Sequence, residues 1–126
     1  MKKLIFIVLV LLTTGCNTQP IKDNLSSPIS LGSYEKAEKA ILQALAPLWR
    51  GHIQSKGHII ASRSMRNYLS FNASSHLAKV DIFFDAKSYT IKYKNSSNLK
   101  YDGENIHKTY NKWVIELNRA VESYVR

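Results

Sequence analysis

The chain has 126 residues and a mass of 14.4 kDa, which is enough for one small domain and leaves no room for a two-domain cofactor enzyme. Its hydrophobic share of 44% is that of a folded chain, and its single cysteine excludes an internal disulfide framework and a cysteine-rich zinc module. The 18 basic and 9 acidic residues give a formal net charge of +9, which favours anionic partners.

The amino terminus predicts an export signal. Lys2 and Lys3 form a basic start, and residues 4–12 form an uninterrupted apolar run. As a helix this run would be about 14 Å long, less than half of a hydrocarbon core of roughly 30 Å. The pattern therefore predicts a signal peptide over residues 1–15 rather than a membrane span.

Cys16 follows the small residues Thr13, Thr14 and Gly15. This junction resembles the lipobox of bacterial lipoproteins, in which the cysteine is diacylated on sulfur and becomes the first residue of the mature chain. The resemblance implies a membrane anchor at Cys16, and an ordinary secretory signal with an incidental cysteine is the alternative. Asn17 stands where an aspartate would retain an enteric lipoprotein at the inner membrane, which implies an outer-membrane lipoprotein facing the periplasm.

The segment after the signal is predicted to be a tether. Residues 16–32 combine the lipidated cysteine with a stretch rich in Ser, Asn and Pro that lacks periodicity. A coil of this length would span roughly 20–24 Å, enough to lift a domain clear of lipid headgroups. Loss of residues 1–15 removes two lysines, so 16 basic residues remain against 9 acidic ones, a net charge of +7. Residues 33–126 are then expected to form a single domain.

The domain begins with an amphipathic helix. Ser33 is the expected N-cap, and Pro47 should end or kink the helix. Apolar residues recur between them at the three-and-four spacing of one helical face: Ala37, Ala40, Ile41, Ala44, Leu45 and Leu48.

The middle of the chain predicts antiparallel strands. Glycines bound a short strand around Trp49–Ser55 and a second one that starts near His58, whereas residues 67–75 could be a loop or a strand end. Residues 78–84 and 89–94 alternate between apolar and polar side chains and are joined by a three-residue turn, the pattern of a hairpin.

A loop over residues 95–105 leads to the last helix, for which Asn105 is the expected N-cap and Trp113 lies in the middle of a wide apolar stripe. The element order α-β-β-β-α with short connections predicts an α+β fold. We expect a three- or four-stranded antiparallel sheet with two helices packed on one face.

The last third of the chain resembles a group of small, functionally uncharacterised lipoproteins of Gram-negative bacteria. The residues that carry the resemblance are the two alternating strands, the loop Ser97–Gly103 and the helix motif Ile-His-x-x-Tyr-Asn-x-Trp-Val that starts at Ile106. The match spans about half of the mature chain. It supports the fold and the location and implies no activity.

Two groups of residues are candidate sites. His107, Tyr110 and Asn111 could bind an anion or a sugar near the start of the last helix; alternatively, His107 and Tyr110 hydrogen-bond the loop over residues 98–103 and hold the helix on the sheet. The second group is basic and lies in the sheet half of the chain: Arg63, Arg66, Lys79, Lys92 and Lys94. These side chains form either an anion-binding surface or an ordinary solvated face.

The remaining site chemistry is sparse. The four histidines lack metal-ligand spacing, although His52 and His58 flank a turn, and we expect no metal. No nucleophile motif or phosphate-binding glycine loop is present in the sequence, so we expect no catalytic residues and no cofactor. An enzyme is kept only as a further alternative.

The combined pattern predicts a lipid-anchored binding or adaptor module in the periplasm. Its partners would be the membrane, through the lipid, and either another envelope protein or an anionic envelope component such as peptidoglycan, lipid A or phospholipid headgroups. Export to the envelope argues against nucleic acid.

Overall fold

The computed structural model describes residues 17–65 and 75–126, which form seven strands and two helices. In chain order the elements are β1 (Thr18–Pro20), β2 (Leu25–Pro28), α1 (Tyr34–Leu45), β3 (Arg50–Ser55), β4 (His58–Met65), β5 (His76–Phe84), β6 (Ser88–Ser97), β7 (Asn105–His107) and α2 (Lys108–Val125). Residues 67–74 of the expected loop or strand end, and the predicted signal peptide with Cys16, lie outside the described residues.

Five strands form one antiparallel sheet in the order β2-β6-β5-β4-β3, and β1 pairs with β7 in a separate two-stranded ladder. The predicted α+β class is therefore confirmed. The expected three or four strands correspond to β3–β6, and β2 adds a fifth strand that the sequence had not indicated. Ile82 of β5 lies opposite Ile59 of β4 on one side and Ile91 of β6 on the other, and these fully buried side chains form the centre of the core.

Both helices cover the same face of the sheet, as predicted. The Tyr34 ring of α1 stacks on Phe84, with centroids 5.2 Å apart, and the Tyr89 hydroxyl donates to Asn118 Oδ1 of α2 at 2.7 Å. Since Phe84 and Tyr89 are cross-strand partners whose side chains point to the same side, α1 and α2 lie together on that side. We call it the helix-covered face and the other side the open face.

Helix α1 begins and ends where its sequence predicts. The Ser33 side chain accepts a hydrogen bond from the backbone N–H of Lys36 at 3.2 Å, which is the expected N-cap contact. The helix ends at Leu45, two residues before Pro47, because proline cannot donate the next backbone hydrogen bond. Ala37 and Ile41 are fully buried against the core.

Helix α2 begins two residues later than expected, because Asn105 is not its N-cap. The carboxylate of Asp102 accepts from the backbone N–H groups of Glu104 and Asn105 at 2.9 and 2.7 Å and closes a turn before the strand starts. Asn105–His107 then pairs with β1, and His107 caps the helix by accepting from the N–H of Thr109 at 3.1 Å. The predicted apolar stripe is buried, with Trp113 only 2% exposed, except for Tyr124 near the end of the helix, which is 47% exposed.

The prediction of a flexible tether is wrong for the residues that follow Asn17. Thr18 pairs with His107 in the β1–β7 ladder, Leu25 pairs with Ile91 in β6, and Ile29 is buried. The polar composition of this segment suggested a coil, but its backbone hydrogen bonds are made with strands more than sixty residues away. Composition alone carries no information about such distant pairing.

Candidate binding surface

The open face of the sheet carries the side chains that alternate with the buried ones. On β5 the buried Ala78, Val80 and Ile82 alternate with Lys79, Asp81 and Phe83, which point to the open face. Lys92 of β6 lies opposite Asp81, and exposed Lys94 follows at a register shift between the two strands. Three of the five basic residues that the sequence singled out therefore share one surface.

The edge of the same face carries further basic residues that the sequence analysis missed. Arg50 and His52 of β3 pair with Ser62 and Ile60 of β4, and their side chains point to the open face. Their alternation with Gly51 and Ile53 is a weak sequence signal that Arg50 and His52 share one face of β3. It is weak because Gly51 has no side chain and Ile53 is half-exposed at the edge of the sheet.

Asp81 is an acidic residue in the middle of this face, and its charge is engaged locally. His58 Nε2 lies 2.7 Å from Asp81 Oδ1, and Lys94 Nζ lies 3.8 Å from the same oxygen. The imidazole of His58 also stacks on the exposed ring of Phe83, with centroids 4.4 Å apart. Because Asp81 is already paired, the face presents an excess of positive charge around an exposed aromatic ring.

Arg63 does not belong to this surface, which corrects the prediction. It follows Ala61 by two residues on β4, so its side chain points to the helix-covered face. Its guanidinium lies 4.6 Å from the ring centroid of Trp113 and its Nη1 lies 3.5 Å from Glu116 Oε2. Arg63 of β4 therefore packs against α2. Arg66 lies outside the described residues.

The trio on α2 is divided among three separate environments and does not form one binding site. The Nδ1 atom of His107 is used in the helix cap, and Asn111 is 2% exposed with its amide bonded to the amino-terminal segment. The buried hydroxyl of Tyr110 has no hydrogen-bond partner among the described residues, and burial raises the pKa of this phenol far above its ordinary value.

The alternative structural interpretation of the trio holds in part. The backbone N–H of His107 donates to the carbonyl of Leu99 at 2.7 Å, so the helix start is held to the loop over residues 98–103. The expected hydrogen bond from the Tyr110 side chain to that loop is not formed. Tyr110 instead meets the ring of Tyr93 edge-on, with centroids 5.4 Å apart.

Two concave regions of the described residues are a small apolar cleft and an open, shallow groove beside β1. An apolar cleft of roughly 100 Å³ lies beside Trp49 and Leu117, with Arg63 and Glu116 at its side. This is well below the volume of about 300–1,000 Å³ that is typical of sites for small organic ligands. The open face is therefore a stronger candidate for binding, and a flat face of this kind suits an extended partner.

Within residues 17–65 and 75–126, no three histidine, cysteine or acidic side chains lie close enough together to hold a metal ion. In the same part of the chain, neither helix is apolar enough to cross a bilayer. Comparison with known proteins finds no matching family model, no similar curated protein and no similar solved structure. The resemblance to small Gram-negative lipoproteins therefore stays a prediction.

Proposed function

We propose that the protein is a lipid-anchored binding module of the cell envelope, held at the outer membrane through Cys16. In this proposal the open face of its sheet binds an anionic envelope component. In this proposal the protein binds and does not catalyse a reaction. The observation that carries it is the charge of the open face, where Lys79, Lys92 and Lys94 surround a carboxylate that is already paired.

The chemistry of this face fits anionic envelope polymers. Lysine and arginine side chains make charge-assisted hydrogen bonds with carboxylates and phosphates, the groups of peptidoglycan and lipid A. The exposed ring of Phe83, 42% accessible, offers an apolar contact for the sugar rings of either polymer. The strands are regular and hydrogen-bonded on both sides across β5 and β6, so the charges are held in fixed positions.

The test replaces both exposed lysines of β6 by glutamate, Lys92→Glu with Lys94→Glu. Binding to peptidoglycan sacculi or lipid A vesicles should fall by at least about tenfold, and wild-type binding should weaken as salt rises because the screening length shortens from about 8 Å at 0.15 M to 3 Å at 1 M. The matched control is Lys36→Glu with Lys39→Glu, which makes the same charge change on the exposed side of α1. Equal loss in both double variants would refute a specific face.

A second candidate is a protein partner at the β3 edge. All six residues of β3 are exposed, and in the described sheet this strand has a neighbour on one side only. An edge of this kind can accept an additional strand from another protein. If an envelope protein is captured by the double variant Lys92→Glu with Lys94→Glu but not by Ile53→Lys, that partner binds at the β3 edge.

A further inference from the structure

The folded domain begins directly at the predicted anchor. The carbonyl of Asn17 accepts from the backbone N–H of Lys108 at 2.9 Å, and Thr18 is the first residue of the β1–β7 ladder. Only Asn17 lies between Cys16 and Thr18, so the chain from one to the other is at most about 7 Å long. A lipid on Cys16 would therefore hold the domain at the membrane surface, with no slack for free tumbling.

The first residues are fixed to the helix as well as to the strand. Asn111 of α2 accepts from the N–H of Lys22 at 2.8 Å, and its amide nitrogen donates to the carbonyl of Pro20 at 3.0 Å. These bonds are part-buried and join the end of β1 and the residues after it to the first turn of α2. The start of the chain is thus attached to two elements, and its direction relative to the domain is set.

The surface around Asn17 is basic. We call it the anchor end, and it comprises Asn17, Lys100, His107, Lys108 and Lys112. The three lysines are exposed, and the charged groups that lower the pKa of His107, in addition to its burial, are all basic: His76, Lys100 and Lys108.

Two acidic residues, Asp102 and Glu104, lie at the other end of the β1–β7 ladder, and Glu116 lies one helical turn from Lys112, where it approaches Arg63. The N–H of Ile21 bonds the carbonyl of Glu104 at that end of the ladder, four residues from Asn17 or about 13 Å along an extended chain. The carboxylate of Asp102 is occupied by backbone N–H groups of its own turn. Among the described residues, none of the three lysines of the anchor end forms a salt bridge with a carboxylate, so their ammonium groups are available to an anionic surface.

A shallow groove of about 430 Å³ opens beside β1 at this end of the molecule. It is lined by Gln19, Lys108, Thr109, Asn111, Lys112 and Ile115. The groove combines two ammonium groups with polar amide and hydroxyl groups, a composition that suits the phosphate and glycerol of a lipid headgroup.

We propose that the anchor end docks on anionic phospholipid headgroups, so that the lipidated domain takes one fixed orientation on the membrane. This rests on the lipid anchor at Cys16 proposed above. The acyl chains hold the protein at the bilayer, and the lysines select the orientation, each favouring the docked state by about fivefold at an anionic surface.

This orientation leaves the open face free for a partner. His76 at the start of β5 lies near the anchor end because the centroid of its ring is 5.7 Å from that of His107. Ser97 at the end of β6 lies near it as well, because Leu99, two residues later, accepts the backbone N–H of His107. From there both strands lead away from the anchor toward the turn at Asp85. The open face then stands on the side of the docked domain, turned toward the periplasm.

The test uses α2 as a ruler on the full-length lipidated protein in vesicles. Lys112, Arg119 and Ser123 are exposed on α2, and the second and third lie about 10 and 16 Å along the axis from the first. Single cysteines at these positions carry a fluorophore, and the vesicles contain phosphatidylglycerol, phosphatidylethanolamine and a headgroup quencher. Lys112→Cys removes one lysine of the anchor end and keeps Lys100 and Lys108, so docking should still give strong quenching at this position, which falls through Arg119→Cys to Ser123→Cys. Equal quenching at all three positions would overturn the proposal.

The role of the lysines is tested in the same vesicles. Lys100→Glu with Lys108→Glu should abolish the gradient, as should high salt or vesicles of phosphatidylcholine alone, because each removes the charge attraction. Lys36→Glu with Lys39→Glu on α1 is the control and should leave the gradient intact. A gradient that survives the Lys100 and Lys108 changes would overturn the assignment to these residues.

Failure of the anchor itself gives a different result. The chain has one cysteine, so wild-type protein with a diacylated Cys16 takes no thiol label. A labelled wild type that does not sediment with vesicles would refute the lipid anchor, and the docked orientation with it. If wild type takes no label and sediments with vesicles, but the three labelled cysteine variants show equal quenching along α2, the docking alone is refuted.

Discussion

Trp113 joins the helix and the sheet through two kinds of contact. Its side chain is 2% exposed in the core, and the guanidinium of Arg63 covers one face of the ring at 4.6 Å. An arginine can cover an aromatic ring with its planar group while its charge reaches the surface, where Glu116 approaches it. The pair explains why a basic residue lies on the helix-covered face.

Trp113→Ala should lower the free energy of unfolding by about 3–5 kcal/mol, because it removes a large buried ring and leaves a cavity. The total stability of a domain of this size is about 5–15 kcal/mol, so the loss is a large part of it. Denaturant titration measures the change, with Lys112→Ala at the neighbouring exposed position as the control. A change below 1 kcal/mol would show that α2 does not pack through this ring.

His107 couples the start of α2 to pH. Burial, and then the neighbouring basic groups His76, Lys100 and Lys108, lower the pKa of the imidazole below its ordinary value of 6.5. The neutral ring also accepts the N–H of Thr109 through Nδ1, a bond that the protonated ring cannot make. The folded state therefore favours the neutral ring.

Stability should consequently be fully present above pH 6.5 and fall as pH decreases through the lowered pKa, since the unfolded chain binds the proton first. His107→Asn keeps a side chain that can cap the helix and should flatten the decline between pH 7 and 5. His52→Asn, at an exposed position on β3, is the matched control. Unfolding midpoints at several pH values measure both slopes, and identical slopes in wild type and His107→Asn would contradict the assignment.

At the scale of elements, the amino-terminal strands depend on α2 for their position. Asn111 is the one buried polar side chain of the described core, and it bonds the backbone of the segment between β1 and β2 at Pro20 and Lys22. β2 then completes the sheet along β6. Asn111 thus connects the end of β1 to the last helix, and the Ser27 hydroxyl of β2 donates to Glu122 Oε1 of α2 at 3.0 Å.

Asn111→Ala should cost about 1–3 kcal/mol, because it leaves backbone groups of the part-buried segment without partners. It should also increase the hydrogen exchange of residues 18–28 more than that of β5. Asn95→Ala at an exposed position is the control and should change stability by no more than about 0.5 kcal/mol. Unchanged exchange in residues 18–28 would mean that strand pairing alone holds the segment.

At the scale of the whole molecule, the proposed location at the membrane depends on Cys16. Cys16→Ser should prevent acylation and move the protein from the membrane fraction to the soluble fraction, because serine offers no sulfur for the diacylglycerol. Intact mass and detergent partitioning measure the change, and Asn17→Ser tests whether a neighbouring substitution has the same effect. Unchanged mass and partitioning in Cys16→Ser would refute lipidation.

The parts of the fold that sequence predicted are those with local signals. Ser33 and Pro47 bound α1, and strict alternation over residues 78–84 and 89–94 identified the central hairpin and placed Lys79, Lys92 and Lys94 on one face. The sequence predicts the wrong face for Arg63, because apolar and polar residues alternate too weakly in β4 to show which side of the strand this residue faces. The cap of α2 was misplaced because Asn105 has cap chemistry but pairs with β1 instead.

The sequence by itself determined the class of the fold, the two helices and the central strands, since each follows from periodicity or from a contiguous motif. The anchor at Cys16 comes from a contiguous motif as well and stays a prediction. Only the tertiary structure decided that residues 18–28 belong to the domain, that Asn111 holds them, and that Asp81 is paired with His58. The physical reason is distance along the chain: these contacts join residues from 23 to 91 positions apart, and hydrogen bonds of that range leave no periodic trace in either segment.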